Sequence, residues 1–288
     1  MKVKVAATQM SITWDIENNI KKAKNMVREA AHAGAKVILL QELFKTPYFC
    51  QVEKYEYFKL AEAPDAPFIK EFMELAKELD VVLPISFFEK AGNVYYNSLI
   101  MIDADGLNLG VYRKTHIPTG QSYEEKFYFA PGDTGFKVFH TKYGKVGIGI
   151  CWDQWFSEVA RALTLMGAEM LLYPTAIGSE PVLPKDSKNH WQNVMTGHAA
   201  ANIIPVIASN RIGTEKEDNS EMAFFGSSFI ANEDGDKVVE MDRISEGFIT
   251  YEFDLDEINF KRQSWGIFRD RRPEMYEALK YMDFSNKK

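Results

Sequence analysis

From Lys2 to Gln9 the chain reads KVKVAATQ, and the alternation of polar and apolar positions predicts a strand. Beyond Asp15, the apolar residues Ile16, Ile20, Ala23, Val27, Ala30 and Ala31 recur at helical spacing until Gly34. That spacing predicts a helix capped by Asp15 and stopped at the glycine. KVILLQE, ending at Glu42, is a continuous apolar run closed by an acid, as expected of a strand buried on both faces. A helix near 67–79 leads into VVLPISFFE, another strand, and Tyr95–Asp103 and Leu109–Lys114 predict two more around Asp105-Gly106.

The same alternation runs through the second half. Strands are expected over Phe136–His140 and Lys145–Ile150, with a turn at Tyr143-Gly144, then a helix from Phe156 to Met166 ended by Gly167. EMLLYPT and IPVIASN read as strands on either side of a helix at Asn189–Ala201. Ser227–Ala231 and Lys237–Glu240 form a hairpin around Asp234-Gly235, and a strand at Gly247–Asp254 precedes a short helix. FFGSSF reads only as a strand entry with small residues. Alternating strands and helices without repeat or linker predict an α/β fold in one domain over 1–288.

Composition narrows the function classes. The 288 residues are 46% hydrophobic and 26% charged, enough for a large core. A net charge of −7 and no Lys/Arg run argue against nucleic acid as a partner. No apolar run approaches the ~18 residues that span a bilayer, so no membrane partner is expected. The N-terminus lacks the features of a signal peptide. Two cysteines in so long a chain suggest free thiols in a reducing compartment, and a cytoplasmic location is expected. CxxC, HExxH, Walker A, GxGxxG and GxSxG patterns are all missing, so no metal, no cofactor and no serine nucleophile are expected.

Cys151 remains, in GKVGIGICWDQWFSEVARAL, where a strand gives way to a turn and a helix. Gly147 and Gly149 would let another backbone come close. The helix N-terminus would favour thiolate, and its unpaired N–H groups would hold an oxyanion. A nucleophilic cysteine needs a base. Glu42 ends its own apolar strand as Cys151 does, and Lys114 ends GVYRKTH. Taken singly, these residues also read as a buried thiol, a strand-end acid in water and a surface lysine. Three reactive groups at three strand ends favour a site, because ligands of α/β sheets gather at the carboxyl ends of strands.

LLQELF around Glu42, YRKTHIP around Lys114 and GICWDQWFSE around Cys151 occur in that order. With them the sequence resembles the nitrilase superfamily of carbon–nitrogen hydrolases, from VAATQM to RRPEMYEAL. The resemblance implies a four-layer α-β-β-α sandwich that pairs into a homodimer or larger homo-oligomer; separately, the C-terminal segment from about 265 to 288, with RRPEMYEALKYM, is expected to be an oligomer-contact tail. It implies Glu42 as general base, Lys114 and the Trp152 backbone N–H as oxyanion partners, and Cys151 as nucleophile. EKFYFAPGD matches a segment carrying a second glutamate that holds the lysine, here Glu125, with Glu124 the less favoured register. TPYFCQ, HIPTG and YPTAIGSEP point to a branch acting on a cationic ureido substrate. Ser157 departs from the branch, where proline is usual; proline is favoured at a helix start but not required.

The cationic tail calls for a counter-charge. Glu180 is the first candidate, then Asp153 and the rings of Tyr48, Trp152 and Trp155, each of which could equally be packing or exposed-loop residues. His116, Asn210 and Arg211 either line the pocket or bond structurally, and Cys50 reads as a buried or pocket-edge thiol. A β-ureidopropionase, an ω-amidase, an aliphatic amidase and an inert scaffold on the same sandwich are the alternatives.

Overall fold

Strand residues two apart face the same way, so the apolar positions sort themselves between two cores. The computed structural model describes residues 1–179, 185–283 and 285. The first half of the chain forms β1 (Lys2–Gln9), α1 (Ile16–His32), β2 (Val37–Leu39), α2 (Pro67–Leu79), β3 (Leu83–Ala91), β4 (Val94–Ile102), β5 (Asn108–Arg113) and the short α3 (Glu125–Tyr128). Next come β6 (Lys137–Thr141), β7 (Gly144–Ile148), α4 (Ser157–Leu165), β8 (Met170–Pro174), β9 (Gly178–Ser179), α5 (Lys188–Asn202) and β10 (Val206–Ser209). The chain then adds β11 (Ile212–Glu217), β12 (Ser220–Phe225), β13 (Phe229–Ala231), β14 (Lys237–Glu240), β15 (Gly247–Asp254) and α6 (Leu255–Trp265).

One sheet runs β15-β1-β2, and a parallel bridge from Val37 to Val82 continues it into β3-β4-β5. The other runs β14-β13-β10-β8-β7-β6. Val5, Ala7, Val37 and Leu39 of the first sheet meet Val146, Ile148, Leu172 and Ile207 of the second in a core between the sheets. Their neighbours Ala6 and Ile38 turn the other way, onto α1 and α2. Leu171, Tyr173, Val206 and Ala208 turn onto α4 and α5. The result is the expected α-β-β-α sandwich.

Parallel pairing sets where the site lies. β1 and β2 are parallel, as are β7, β8 and β10, with helices crossing between them. β5 is antiparallel to β4, and β4 to β3, so β5 runs with β3 and β2. Glu42, Lys114 and Cys151 therefore leave their strands at the same edge of the sandwich. A buried link crosses the two sheets there: Thr8 N–H donates to Ser209 Oγ at 3.0 Å, and Ser209 Oγ donates to the Leu39 carbonyl at 2.8 Å.

The Asp15 carboxylate caps α1 by accepting from Asn18 N–H at 3.0 Å. One expectation needs correction. The strand of KVILLQE stops at Leu39, and the following turn puts Leu43 at φ 48°. The sequence pattern does not predict the β11–β12 hairpin, because TEKEDNSE is polar throughout and carries little apolar signal. Past α6, Met275 and Leu279 of the tail are exposed. Among the described residues no helix is long and apolar enough to cross a membrane.

Candidate active site

Lys114, just past β5, is fully buried between two buried carboxylates. Its Nζ lies 2.9 Å from Glu42 Oε1 and 2.7 Å from Glu125 Oε2. Burial opposes the ammonium charge, but Glu125 and Glu42 outweigh it and hold the lysine well above its ordinary range. Burial pushes the Glu125 carboxyl up while Lys114 pulls it down, and the net direction is upward. Of the adjacent glutamates, Glu125 meets the lysine; Glu124 is only half-buried.

Asn97, in the middle of β4, donates to Glu42 Oε1 at 2.7 Å, the same oxygen that Lys114 reaches. Among the described residues, Glu42 Oε2 is buried without a hydrogen-bond partner. A buried acceptor left empty costs about 1–3 kcal/mol, so this oxygen stands ready for a proton that the resting network does not supply.

Cys151 is nearly buried, with φ 41°. Non-glycine residues hold such a left-handed angle only where the surroundings impose it. Two residues earlier the strand lies close under Tyr173, since a Cβ on Gly149 would come within 2.5 Å of its ring. The glycine thus admits an aromatic ring, not the backbone the sequence suggested. The Cys151 thiol lies 3.8 Å from the Ala176 carbonyl. Asn210 fixes the adjoining loop, accepting from Ile177 N–H at 3.0 Å and donating to its carbonyl at 2.9 Å.

The cysteine also lies further from the helix than the sequence suggests. A 3-10 turn, Cys151–Trp155, separates the cysteine from α4, which begins at Ser157. Burial pushes the thiol well above its ordinary range, Glu42 adds to this, and Lys114 opposes it. Burial thus favours the protonated thiol.

Several residues considered for tail recognition have other occupations. Asp153 is fully buried. Its Oδ2 accepts from Tyr112 Oη at 2.7 Å and Ile150 N–H at 2.9 Å. Its Oδ1 accepts from His116 N–H at 3.0 Å and lies 2.8 Å from His116 Nδ1. The carboxylate therefore ties β5 to the cysteine turn and has no oxygen left for a ligand. His116 stacks on Phe156 at 3.7 Å. Tyr48 is fully buried and donates to Glu125 Oε1 at 2.6 Å, so its hydroxyl serves the carboxylate. Trp152 is 39% exposed and packs at 6.2 Å on Trp155, which meets His190 at 4.8 Å. Glu180 lies outside the described residues. Cys50 is fully buried, and burial raises its thiol well above the ordinary range.

Asn97 and Glu215 were not singled out from the sequence. Asn97 left a trace, as the first of two polar residues heading NSLIMI. Arg211 bonds structurally: it is buried against the Glu42, Leu43 and Thr46 carbonyls and Glu215. Among the described residues no group of three or more His, Cys, Asp or Glu side chains could hold a metal ion.

Comparison with known proteins identifies the family. The carbon–nitrogen hydrolase family profile matches residues 4–263. An Arabidopsis thaliana N-carbamoylputrescine amidase is 54% identical over 98% of this chain and 96% of its own. A Francisella tularensis citrullinase is 53% identical over 96% of this chain and 98% of its own. The crystal structure of a Helicobacter pylori carbon–nitrogen hydrolase superposes with a TM-score of 0.92 at 36% identity, covering 98% of this chain and 99% of that one. The chain belongs to the carbon–nitrogen hydrolase family.

Proposed function

We propose that this protein hydrolyses N-carbamoylputrescine to putrescine, carbon dioxide and ammonia, with Cys151 as nucleophile. The observation that carries the chemistry is the open Oε2 of Glu42 in a buried set that contains Lys114 and raises a neutral Cys151 thiol. Glu42 takes the thiol proton as sulfur attacks the ureido carbonyl. The oxyanion is held by Lys114 Nζ and the Trp152 N–H. Glu42 returns the proton to the departing ammonia, leaving a carbamoyl thioester on Cys151. It then takes a proton from water, which cleaves the thioester and restores the thiol. The released N-carboxyputrescine loses carbon dioxide to give putrescine. The sum is one substrate and one water to one amine, one carbon dioxide and one ammonia. No step calls on a metal or organic cofactor.

The tail is the finer question. Citrulline presents the same ureido group on an amino-acid tail, and the similar citrullinase makes it the second reading. A carboxylate on the tail would need a cation. Lys114 is enclosed by two carboxylates, and Arg211 by Glu215 and three carbonyls. Among the described residues, Lys114 is thus fully engaged and Arg211 keeps only its buried Nε without a partner, which favours an amine tail, with Glu180 as its proposed counter-charge and Trp152 and Trp155 as its aromatic walls. The test is ammonia release from N-carbamoylputrescine, citrulline and N-carbamoyl-β-alanine, with Cys151→Ala as control. Turnover of the first alone, abolished in the variant, is expected. Turnover of citrulline alone would overturn the tail assignment and keep the nucleophile.

We also propose a cytoplasmic homodimer or larger homo-oligomer. A cavity of about 580 Å3 opens between α4, α5 and the tail, lined by Leu165 and Leu279, both exposed. Exposed Met166 and Met275 extend the same apolar character along α4 and the tail. A second copy of the chain is the occupant proposed for this face.

A further inference from the structure

Six buried hydrogen bonds close on themselves around the base and the lysine. Glu42 Oε1 meets Lys114 Nζ at 2.9 Å, and Lys114 Nζ meets Glu125 Oε2 at 2.7 Å. Glu125 Oε1 accepts from Tyr48 Oη at 2.6 Å, and the Tyr48 backbone N–H donates to Glu215 Oε2 at 2.5 Å. Glu215 Oε1 accepts from Arg211 Nη1 at 2.8 Å, and Arg211 Nη2 donates to the Glu42 carbonyl at 2.7 Å. The ring thus leaves the base through its side chain and returns through its backbone. Glu215 is 6% exposed and the other five residues are fully buried.

Two features say that the second half of the ring does more than fill space. The base needs one oxygen free for the moving proton, so side-chain contacts alone cannot fix it. Its backbone must be held, and the next residue, Leu43, sits at φ 48° in the left-handed region. Arg211 holds that turn, reaching the carbonyls of Glu42, Leu43 at 3.2 Å and Thr46 at 3.3 Å. The guanidinium also lies 5.2 Å from the Phe224 ring centroid, which limits its freedom to move. Glu215 then transmits this fixed position to Tyr48, whose hydroxyl sets one oxygen of Glu125.

We propose that Arg211, Glu215 and Tyr48 are positioning residues of the hydrolysis, tying the backbone of the base Glu42 to the carboxylate that holds Lys114. This rests on the reading of Glu42 as base given above. A merely structural ring would contribute stability without touching the rate. A positioning ring sets the distance between the proton acceptor and the oxyanion partner, and a misplacement near 1 Å costs about a hundredfold in rate.

The test compares Tyr48→Phe and Glu215→Gln in the full chain, reading kcat, KM, the pH profile of kcat and the thermal midpoint. Glu215 accepts through both oxygens, so glutamine breaks one of the two links. Both variants are expected to lose about ten- to hundredfold in kcat with KM nearly unchanged. Tyr48→Phe should also move the acid limb of kcat to higher pH. The tyrosine hydroxyl lowers the Glu125 pKa, while burial and Glu42 raise it and Lys114 lowers it, so losing the hydroxyl raises it. Glu125 also faces the Cys50 thiol, which stays neutral across this range. If Glu215→Gln does not fold, Tyr48→Phe decides, because it leaves no unpaired buried charge.

Wild-type kcat and pH profile with a lowered thermal midpoint would overturn the proposal and leave the ring structural. A raised KM at unchanged kcat in Tyr48→Phe would place the tyrosine against substrate and also overturn it. A fully active Glu42→Gln would instead overturn the base, whatever the ring variants do.

Discussion

Glu42→Gln isolates proton transfer from everything else the base residue does. The amide oxygen can still accept from Asn97 and Lys114, as Oε1 does now, and Lys114 keeps Glu125. The variant should therefore fold. The proton is then left on Cys151. A thiol at its ordinary value of 9.0 is ~1% ionised at pH 7, and burial raises Cys151 well above that value. Without the base, at most ~1% of the enzyme carries a thiolate at neutral pH, a loss of at least about a hundredfold, or ~2.7 kcal/mol of barrier. This lies within the ~10²–10⁴-fold that a general base contributes. The sign with pH follows from the thiol. Activity of the variant should climb by about tenfold per pH unit above neutrality, as thiolate forms without help. Because the missing carboxylate had itself raised the thiol, that climb should level off at a lower pH than the wild-type thiol would require. The assay is ammonia release from pH 6 to 10, with circular dichroism to verify the fold. A folded variant within about threefold of wild type at pH 7, or one whose rate is flat with pH, would refute the argument.

Two further perturbations test other parts of the molecule. Gly149→Ala would set a methyl 2.5 Å from the buried Tyr173 ring and 3.3 Å from Asp153 Cβ; overpacking of about 1–3 kcal/mol should lower the thermal midpoint by several degrees and reduce kcat through the cysteine turn, and an unchanged midpoint would show that the ring can yield. Removal of 266–288 should reduce the particle size on a sizing column if the tail joins subunits, and an unchanged size would count against the tail as an oligomer contact.

The sandwich was largely legible because its strands are buried on both faces and its helices are amphipathic. Runs such as KVILL and EMLLY need partners on two sides, and the structure gives them one core between the sheets and one under the helices. The boundaries that failed are those where tertiary contacts override local pattern. Leu40 and Gln41 look like more strand, yet the chain must turn after Leu39 to present Glu42, and Arg211, 169 residues away from Glu42, stabilises that turn. No local pattern carries such information.

The chemistry followed a similar division. Glu42, Lys114 and Cys151 could be grouped because each follows a strand, and the strand directions put those ends at one edge of the sandwich. What sequence could not say is which polar atoms are already occupied. Asp153, next to the cysteine, looked like a free acid able to receive an amine; both oxygens are in fact used by Tyr112, Ile150 and His116. Glu42, one acid among 41 acidic residues, is the reverse case: fully buried, with two donors crowded on one oxygen and none on the other. Occupancy separates their roles. A carboxylate with every lone pair engaged fixes geometry, because moving it costs several hydrogen bonds at once. A carboxylate with one buried oxygen unanswered can take a proton without first losing a partner. The thiol beside it makes the same point from the other side: burial and the Glu42 charge both favour its protonated form, so the proton that the open oxygen can take is held on sulfur.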